Sequence, residues 1–507
     1  MRELKVLCIQ LGFGPQYPDM STLATTYNDG IYYVASFLQR AIPQVQIEMC
    51  QMFWGEDPLT FEIGTYDYIL VSALGTHFWS NLQLLETLQA RKREGARIIM
   101  GGPHATFAPY EALKYADFVV LGEGEIPTVQ LIEALESGEG LDEVENLCYL
   151  DGDQVLVMNR FVRYGNLDNT IDPSLLKRAP RLHWATVSMS RGCPFNCSFC
   201  YAIRVLGRRF RAKSLKSIVT ELDGIHQQTG CSRFYVTDLN FTTRPEFCAS
   251  VAYELRHRNY HFIAMSRIEV ADDTTLLLGL KEVGFQEYCL GVESENAAVL
   301  KAFNKSVDAS RQMERLLRLA QCGIYTHSAI IFGLDSQDLE TMSQTARWCA
   351  EARIMHPTFV CLAEYPFQKL LFGSRQDVED HRIIMEIPTY QHYSFVGIFP
   401  RRMRPSRLQQ AILDSYQTFF KRALEIEQEP QRRMRLKCYA RSVAESVRGM
   451  KTHIEALRKI EAPYYSSDEQ LDEDMLKDSF ERAHGHLRKQ LETSIRREPG
   501  FLTAFKA

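Results

Sequence analysis

For the first 365 residues, short apolar runs alternate with stretches of helical period. The runs Val6 to Leu11, Val45 to Cys50, Tyr68 to Leu74, Arg97 to Met100 and Phe118 to Leu121 read as strands. Between them, Ile31 to Arg40, Asn81 to Arg93, Tyr110 to Tyr115 and Pro127 to Ser137 carry the spacing of helices with one apolar face. Parallel strands need crossovers, and right-handed crossovers place helices on both faces of a sheet. The pattern therefore predicts an α/β, flavodoxin-like, doubly wound N-terminal domain. Such sheets bind ligands beyond the carboxyl ends of their strands. Gly12, Gly14, Gly75, Gly101, Gly102, Gly122 and Gly124 gather there. Glycine at these places serves either close approach of backbone to a bulky ligand or tight strand-to-helix turns.

From Leu141 to Trp184 the periodicity gives way to Gly, Asp, Asn and Pro, a linker with room for a hairpin. A second series then begins. Strands at Thr186 to Met189, Phe234 to Thr237, Phe262 to Ser266, Glu287 to Gly291, His327 to Phe332 and Thr358 to Ala363 alternate with helices at Leu215 to Gln227, Pro245 to Arg256, Thr274 to Val283, Ala309 to Gln321 and Leu339 to Glu351. Six βα units predict an open, partial barrel of the TIM type, with its working groups at the carboxyl face. Beyond Met403, Leu408 to Leu424, Arg433 to Lys459 and Leu471 to Arg496 read as charged amphipathic helices, simplest as solvated surface. Arg432, Arg433, Arg435 and Lys437 are the positions there able to meet an anion. The expected domains are 1–140, a linker 141–183, a barrel 184–400 and a helical domain 401–507.

Length and composition narrow the class. A chain of 507 residues holds two to four cores, and 45% apolar with 24% charged residues is an ordinary globular mixture. The balance of 58 Lys and Arg against 63 Asp and Glu argues against a protein that coats nucleic acid. No apolar run reaches 18 residues and the opening residues lead into a strand rather than a signal peptide, so the expectation is a cytoplasmic protein without a membrane span. Thirteen cysteines, an odd number, argue against a disulfide framework and direct attention to clustered thiols as metal ligands.

Three cysteines cluster, in Ser188-Met189-Ser190-Arg191-Gly192-Cys193-Pro194-Phe195-Asn196-Cys197-Ser198-Phe199-Cys200-Tyr201. Thiolates at this spacing suit zinc or an iron-sulfur cluster. A structural zinc site wants a fourth ligand at similar spacing, and His226 and Cys231 lie a helix away. Three ligands on a four-iron cluster leave one iron open, which is a catalytic feature. The other ten cysteines are isolated, and Cys8, Cys289 and Cys361 fall within strands as packing residues.

C-x3-C-x2-C followed by an aromatic residue, directly after a barrel's first strand, resembles the radical S-adenosylmethionine (SAM) superfamily, over about residues 184 to 370. The resemblance implies that Cys193, Cys197 and Cys200 hold a [4Fe-4S] cluster. It places Tyr201, Asp238 and Asn240 of Val236-Thr237-Asp238-Leu239-Asn240, Ser266 and Arg267, Glu293 of Gly291-Val292-Glu293-Ser294, and Phe332 and Gly333 of Ile330-Ile331-Phe332-Gly333-Leu334 about SAM. Lys305 matches a lysine common after the fourth unit. In physical terms, Arg267 can hold a carboxylate, and Glu293 can accept from a ribose hydroxyl or counter local charge. An ion pair at a barrel rim is the plainer role for each.

Residues 5 to 136 resemble the cobalamin-binding domain of B12-dependent radical SAM enzymes. The resemblance rests on Asn28-Asp29-Gly30-Ile31-Tyr32-Tyr33-Val34-Ala35, Gly101-Gly102-Pro103-His104-Ala105-Thr106 and Leu121-Gly122-Glu123-Gly124-Glu125. It implies a cobalamin site at Gly12, Gly14, Gly75, Gly101, Gly102, His104, Thr106, Gly122, Gly124 and Glu125. No D-x-H-x-x-G occurs, so either cobalamin binds without a histidine on its lower face or the domain is a scaffold that has lost it. His77 and His104 fit a turn or a corrin amide better than an axial ligand. The implied activity is methylation of an unactivated carbon of a small molecule through a 5'-deoxyadenosyl radical. The alternative is a cobalamin-assisted rearrangement or oxidative cyclisation, and a non-catalytic sensor is a third reading. An external one-electron reductant such as a flavodoxin or ferredoxin is the implied partner, with no nucleic acid. Tyr390, His392, Tyr393 and Phe395 are candidates for lining the substrate pocket or for interdomain packing.

Overall fold

The computed structural model describes residues 2–12, 29–52, 55–152, 154–179, 182–373, 378–385, 395–466 and 469–506. The N-terminal strands β1 (Leu4–Gln10), β2 (Val45–Gln51), β3 (Tyr68–Ser72), β4 (Arg97–Gly101) and β5 (Phe118–Val120) pair in parallel in the spatial order β2-β1-β3-β4-β5. This is the flavodoxin-like order, with its crevice where the order reverses between β1 and β3. Both faces are covered, so the central strands are nearly continuous apolar runs, and every residue of β3 is buried. The helices Asp29–Ala41 and Glu125–Ser137 pack against each other on one face.

The segment expected as a linker builds the hairpin β6 (Leu147–Leu150) and β7 (Leu156–Met158), which extends the same sheet antiparallel beyond β5. A second sheet follows. β8 (Ala185–Val187) leads into a short hairpin, β9 (Ser190–Arg191) with β10 (Arg211–Ala212), which brackets the cysteine loop. β11 (Arg233–Val236), β12 (His261–Ser266), β13 (Phe285–Glu293), β14 (Tyr325–Phe332) and β15 (His356–Cys361) continue from β8, all parallel and in chain order. β8 and β15 remain edges, so the six strands form an open barrel. Helices cross between them at Leu215–Thr229, Pro245–Leu255, Thr274–Glu282, Gln312–Gln321 and Leu339–Glu351.

The C-terminal helices are Pro405–Ile426, Pro430–Glu461 and Glu473–Thr493. The first packs on Leu339–Glu351 and on the second. Two expectations need correction here. The last helix stops at Thr493 rather than running to Arg496, and Ile495–Arg497 forms β16, parallel to β7. The amide of Leu156 donates to Ser494 O at 2.7 Å and that of Glu498 to Met158 O at 2.9 Å, so β16 satisfies backbone groups that an edge strand would leave open. The basic group at 432–435 serves the fold rather than an anion: Arg432 bonds Glu427 at 3.0 Å, Arg435 bonds Glu287 at 2.9 Å and Arg433 bonds backbone carbonyls. Lys437 is exposed. Among the described residues no helix is long and apolar enough to cross a membrane.

Past β16, Phe501 is buried between Phe161 and Phe372, with ring centroids 6.0 and 6.2 Å away. It fastens the chain's end to both the hairpin side of the first sheet and the segment after β15. Truncation of a buried phenylalanine to alanine costs about 3–5 kcal/mol. Phe501→Ala is expected to lower the thermal unfolding midpoint accordingly, measured by circular dichroism, whereas Tyr253→Ala, at a residue 62% exposed, leaves it unchanged.

Candidate active site between the two sheets

The cysteine loop starts from a glycine that no other residue replaces. Gly192 has φ +90°, and a Cβ there would lie 2.1 Å from the carbonyl oxygen of Arg209. The loop's far end feeds the helix Ala202–Leu206, whose first amides, those of Ile203 and Ala202, point at the Cys200 sulfur. Burial raises all three thiols, that of Cys200 to about 11, while the cations of Arg267 and Lys305 pull Cys193 and Cys197 back toward ionisation. The three sulfurs interact electrostatically with one another. Among the described residues no three His, Cys, Asp or Glu side chains close around a single ion. Three thiols on one loop, in mutual reach and faced by two cations, fit a wider anionic group such as a [4Fe-4S] cluster.

The strand ends beside this loop form a continuous polar wall. Asp238 is buried and accepts from the Met189 amide at 2.8 Å and from Ser190 Oγ at 2.5 Å; burial, only partly offset by those bonds, pushes its carboxyl up to about 6. Asn240 Oδ1 accepts from the Arg267 amide at 3.2 Å, and the hydroxyls of Thr242 and Ser266 share a hydrogen bond at 2.5 Å. Arg267 stacks on Phe195 of the cysteine loop, 3.7 Å from the ring centroid, and donates to Glu269 at 2.8 Å. Its Nε is buried without a partner, an open donor beside the loop. Glu293 ends β13 with φ +64°, a conformation that side-chain-bearing residues seldom hold, and its carboxylate is fixed by Lys305 at 2.8 Å. An orphaned donor and a strained acid at adjacent strand ends fit a zwitterionic co-substrate such as SAM. Phe332 and Gly333 stand at the end of the next strand, β14, which pairs with β13 at Glu293 and Ile330; Phe332 is fully buried on Phe359, and Gly333 abuts Cys361, Ile398 and Leu408.

The carboxyl ends of the two sheets face each other across a cavity of about 400 Å³, within the range of small-molecule sites. Gly101, Gly102, Thr106, Gly122, Gly124 and Glu125 line it from the first sheet, and Tyr201, next to Cys200, lines it from the barrel. Gly102 has φ +90°, and a Cβ there would lie 2.9 Å from Ala73 O. Thr106 Oγ1 accepts from the Gly122 amide at 3.0 Å and ties the two glycine turns together. Five cavity-lining glycines, counting Gly30, leave backbone rather than side chains around the space, a cradle suited to a planar macrocycle such as cobalamin. Gly12 and Gly75 are outside the lining; Gly12 O accepts from Asn81 and Gly75 begins the helix Gly75–Trp79. Gly14 lies outside the described residues. No histidine lines the cavity among the described residues. His104 is turned into the first domain, fully buried and stacked on Phe78 at 3.9 Å, so it is not placed as an axial ligand.

Of the residues that join the halves, only Glu125 carried an expected role, toward cobalamin. Glu123 accepts a bidentate pair from Arg211 at 2.8 and 2.9 Å, and Glu125 pairs with Arg191 at 2.5 Å. Burial works against ionisation of Glu125, but the Arg191 guanidinium outweighs it and holds the carboxyl below the usual range. Thr237 donates to Asp29 at 2.7 Å, and the Tyr33 hydroxyl receives the Ser188 amide and Lys213 Nζ, each at 3.0 Å. Arg191 and Arg211 flank the cysteine loop on β9 and β10, so its spacing held the signal for two of them. Of the proposed aromatic lining, Tyr390, His392 and Tyr393 lie outside the described residues, while Phe395 packs on His453.

Two outcomes follow from this geometry. Alanine at Cys193, Cys197 or Cys200 is expected to remove iron-sulfur absorbance after anaerobic reconstitution. A Cβ at Gly101 meets only Val120 O, at 3.7 Å, so Gly101→Leu is expected to fold, keep the cluster and fail to retain cobalamin in its absorbance spectrum.

Comparison with known proteins agrees with this division. The Radical SAM superfamily model matches residues 187–349 and the B12 binding domain model residues 21–132. An uncharacterised methyltransferase of Pyrococcus horikoshii is 26% identical over 288 residues, covering 55% of this chain and 62% of the relative. An anaerobic magnesium-protoporphyrin IX monomethyl ester cyclase of Cereibacter sphaeroides is 28% identical over 348 residues, covering 64% and 55%. The chain thus spans about three fifths of the length of these curated relatives. The structure of the cobalamin-dependent SAM radical enzyme OxsB, with aqua-cobalamin and SAM bound, superposes with a TM-score of 0.64 at 15% identity, covering 95% of this chain and 75% of that one. The radical SAM methyltransferase TsrM of Kitasatospora setae, with cobalamin and a [4Fe-4S] cluster bound, gives 0.57 at 16% identity, covering 72% and 76%. These two show the shared fold. The chain thus carries a B12-binding domain and a radical SAM domain, and the cofactors these two domains imply are a [4Fe-4S] cluster, SAM and cobalamin.

Proposed function

We propose that the enzyme transfers a methyl group to an unactivated carbon of a small molecule. The observation that carries the reading is the single cavity shared by the glycine turns of the first sheet and by Tyr201 beside the cysteine loop. When bound, the cofactors supply a reductively generated 5'-deoxyadenosyl radical and a methyl carrier, chemistry that belongs to them rather than to the protein. The chain's residues position and exclude. Arg267, with its open Nε, holds a carboxylate; Glu293, locked by Lys305, accepts from a hydroxyl; Asp238 anchors Met189 and Ser190, just ahead of the cysteines. The apolar side of the cavity, from Ile99, Val120, Val205 and Leu206, keeps water from a reactive intermediate. Methylase names among the relatives, including the hopanoid C-3 methylase of Methylococcus capsulatus at 27% identity over 290 residues, or 53% of each chain, support this reading.

Reduced, cobalamin-loaded protein supplied with methyl-labelled SAM and candidate substrates is expected to form S-adenosylhomocysteine together with 5'-deoxyadenosine, with label in the product. Deoxyadenosine formation alone, with no label in any product, overturns methyl transfer in favour of rearrangement or cyclisation.

A further inference from the structure

The charge around the cysteine loop exceeds what the site uses. From Pro173 to Thr220 the chain carries ten Lys and Arg and no Asp or Glu, within a protein whose whole balance is 58 to 63. Five of these, on and beside the loop, fall into two groups in the fold. Arg191, Arg211 and Lys213 turn inward, onto Glu125, Glu123 and Glu221. Arg208 and Arg209 stay exposed at the far end of the helix Ala202–Leu206, and Arg244 and Lys301 are exposed on neighbouring elements. All of these elements touch the loop or its flanks. Arg208 donates to Pro194 O, between Cys193 and Cys197, at 3.0 Å. The Arg209 carbonyl lies against Gly192. Arg244 covers Phe210, 5.2 Å from its centroid. Lys301 lies in the last turn of the helix Ala297–Ala302, and Phe303, just past its end, accepts from the Ser198 amide at 2.9 Å. Among the described residues none of Arg208, Arg209, Arg244 or Lys301 has a carboxylate within ion-pair distance; one exposed acid, Glu246, follows Arg244 in sequence. Pro194 and Asn196, at the loop's tip, are themselves exposed.

We propose that this basic rim is the docking surface for a small acidic electron-carrier protein, an inference that rests on the cluster assignment above. The carrier is oxidised by one electron and the cluster is reduced by one. Unpaired cations around an exposed redox loop raise the encounter rate of an acidic partner, and the gain falls with ionic strength. A nucleic-acid face fits less well. It would need a longer basic track with stacking aromatics, whereas here three of the cations are neutralised inside the protein and the exposed ones ring a single loop.

The test follows cluster bleaching by anaerobic stopped flow in the reconstituted full-length protein, with fully reduced flavodoxin as the carrier and photoreduced 5-deazaflavin as an uncharged reductant. The Arg209→Glu/Lys301→Glu variant leaves Arg208 on the loop and changes two exposed side chains that make no ion pair among the described residues. The expected result is a tenfold or greater loss in the second-order rate with flavodoxin at low salt, a wild-type rate that falls steeply with added salt, and an unchanged rate with deazaflavin. Equal flavodoxin rates for variant and wild type overturn the proposal. So does a loss with both reductants, or a defect confined to RNA binding. A wild-type protein that shows no cluster absorbance after reconstitution instead refutes the functional reading on which the rim depends.

Discussion

The architecture depends on charge pairs that cross between the sheets in a desolvated seam. Glu123 and Glu125 lie on the turn after β5, which lines the cavity from one side, and Arg211 and Arg191 flank the cysteine loop on the other. Removing one partner of a buried pair costs about 3–5 kcal/mol, because the survivor is left charged without water or a counter-ion. The seam therefore resists sliding: a shift of either domain by a few ångströms strands several charges together. Hydrophobic packing alone would hold the halves near each other without fixing their register, since apolar contact is non-directional. The bidentate Arg211–Glu123 pair is directional, and with the Arg191–Glu125 pair it sets the distance between the cysteine loop and the glycine turns.

How much of this was legible in the sequence follows from the length scale of each signal. The long βα units announced themselves because ten or more residues at helical period, set against apolar strands, have few other interpretations. The short helices Gly75–Trp79, Pro103–Phe107 and Ala202–Leu206 were unreadable at five residues each, and the last shapes the cavity wall. The hairpin of β6 and β7 was readable as a hairpin, but its attachment to the first sheet is a tertiary choice that no local pattern encodes. β16 was absorbed into a helical reading because Ile495–Arg497 continues the charge pattern of the helix before it.

The site divides along the same line. The cysteine spacing is local, so the loop was plain from the residues alone. Asp238, Asn240, Ser266, Arg267 and Glu293 were placed by their order at strand ends, and the fold brings those ends side by side. His104, read from the sequence as shaping a turn or meeting a corrin amide, has its ring stacked on Phe78, a contact that only the tertiary fold decides. Asp29 and Thr237 are 208 residues apart and meet only because the helix Asp29–Ala41 docks on the barrel.

The closing strand has a consequence for how the molecule is made. β16 completes the edge of a sheet whose first strand begins at Leu4, so residues synthesised after the whole barrel finish the layer that the earliest strand opens. Until they emerge, a nascent chain exposes the backbone of β7 as a template for pairing with other chains. Arg497 then reaches the carbonyls of Leu370 and Leu371, so the strand that closes the first sheet also ties down the segment after the barrel's last strand.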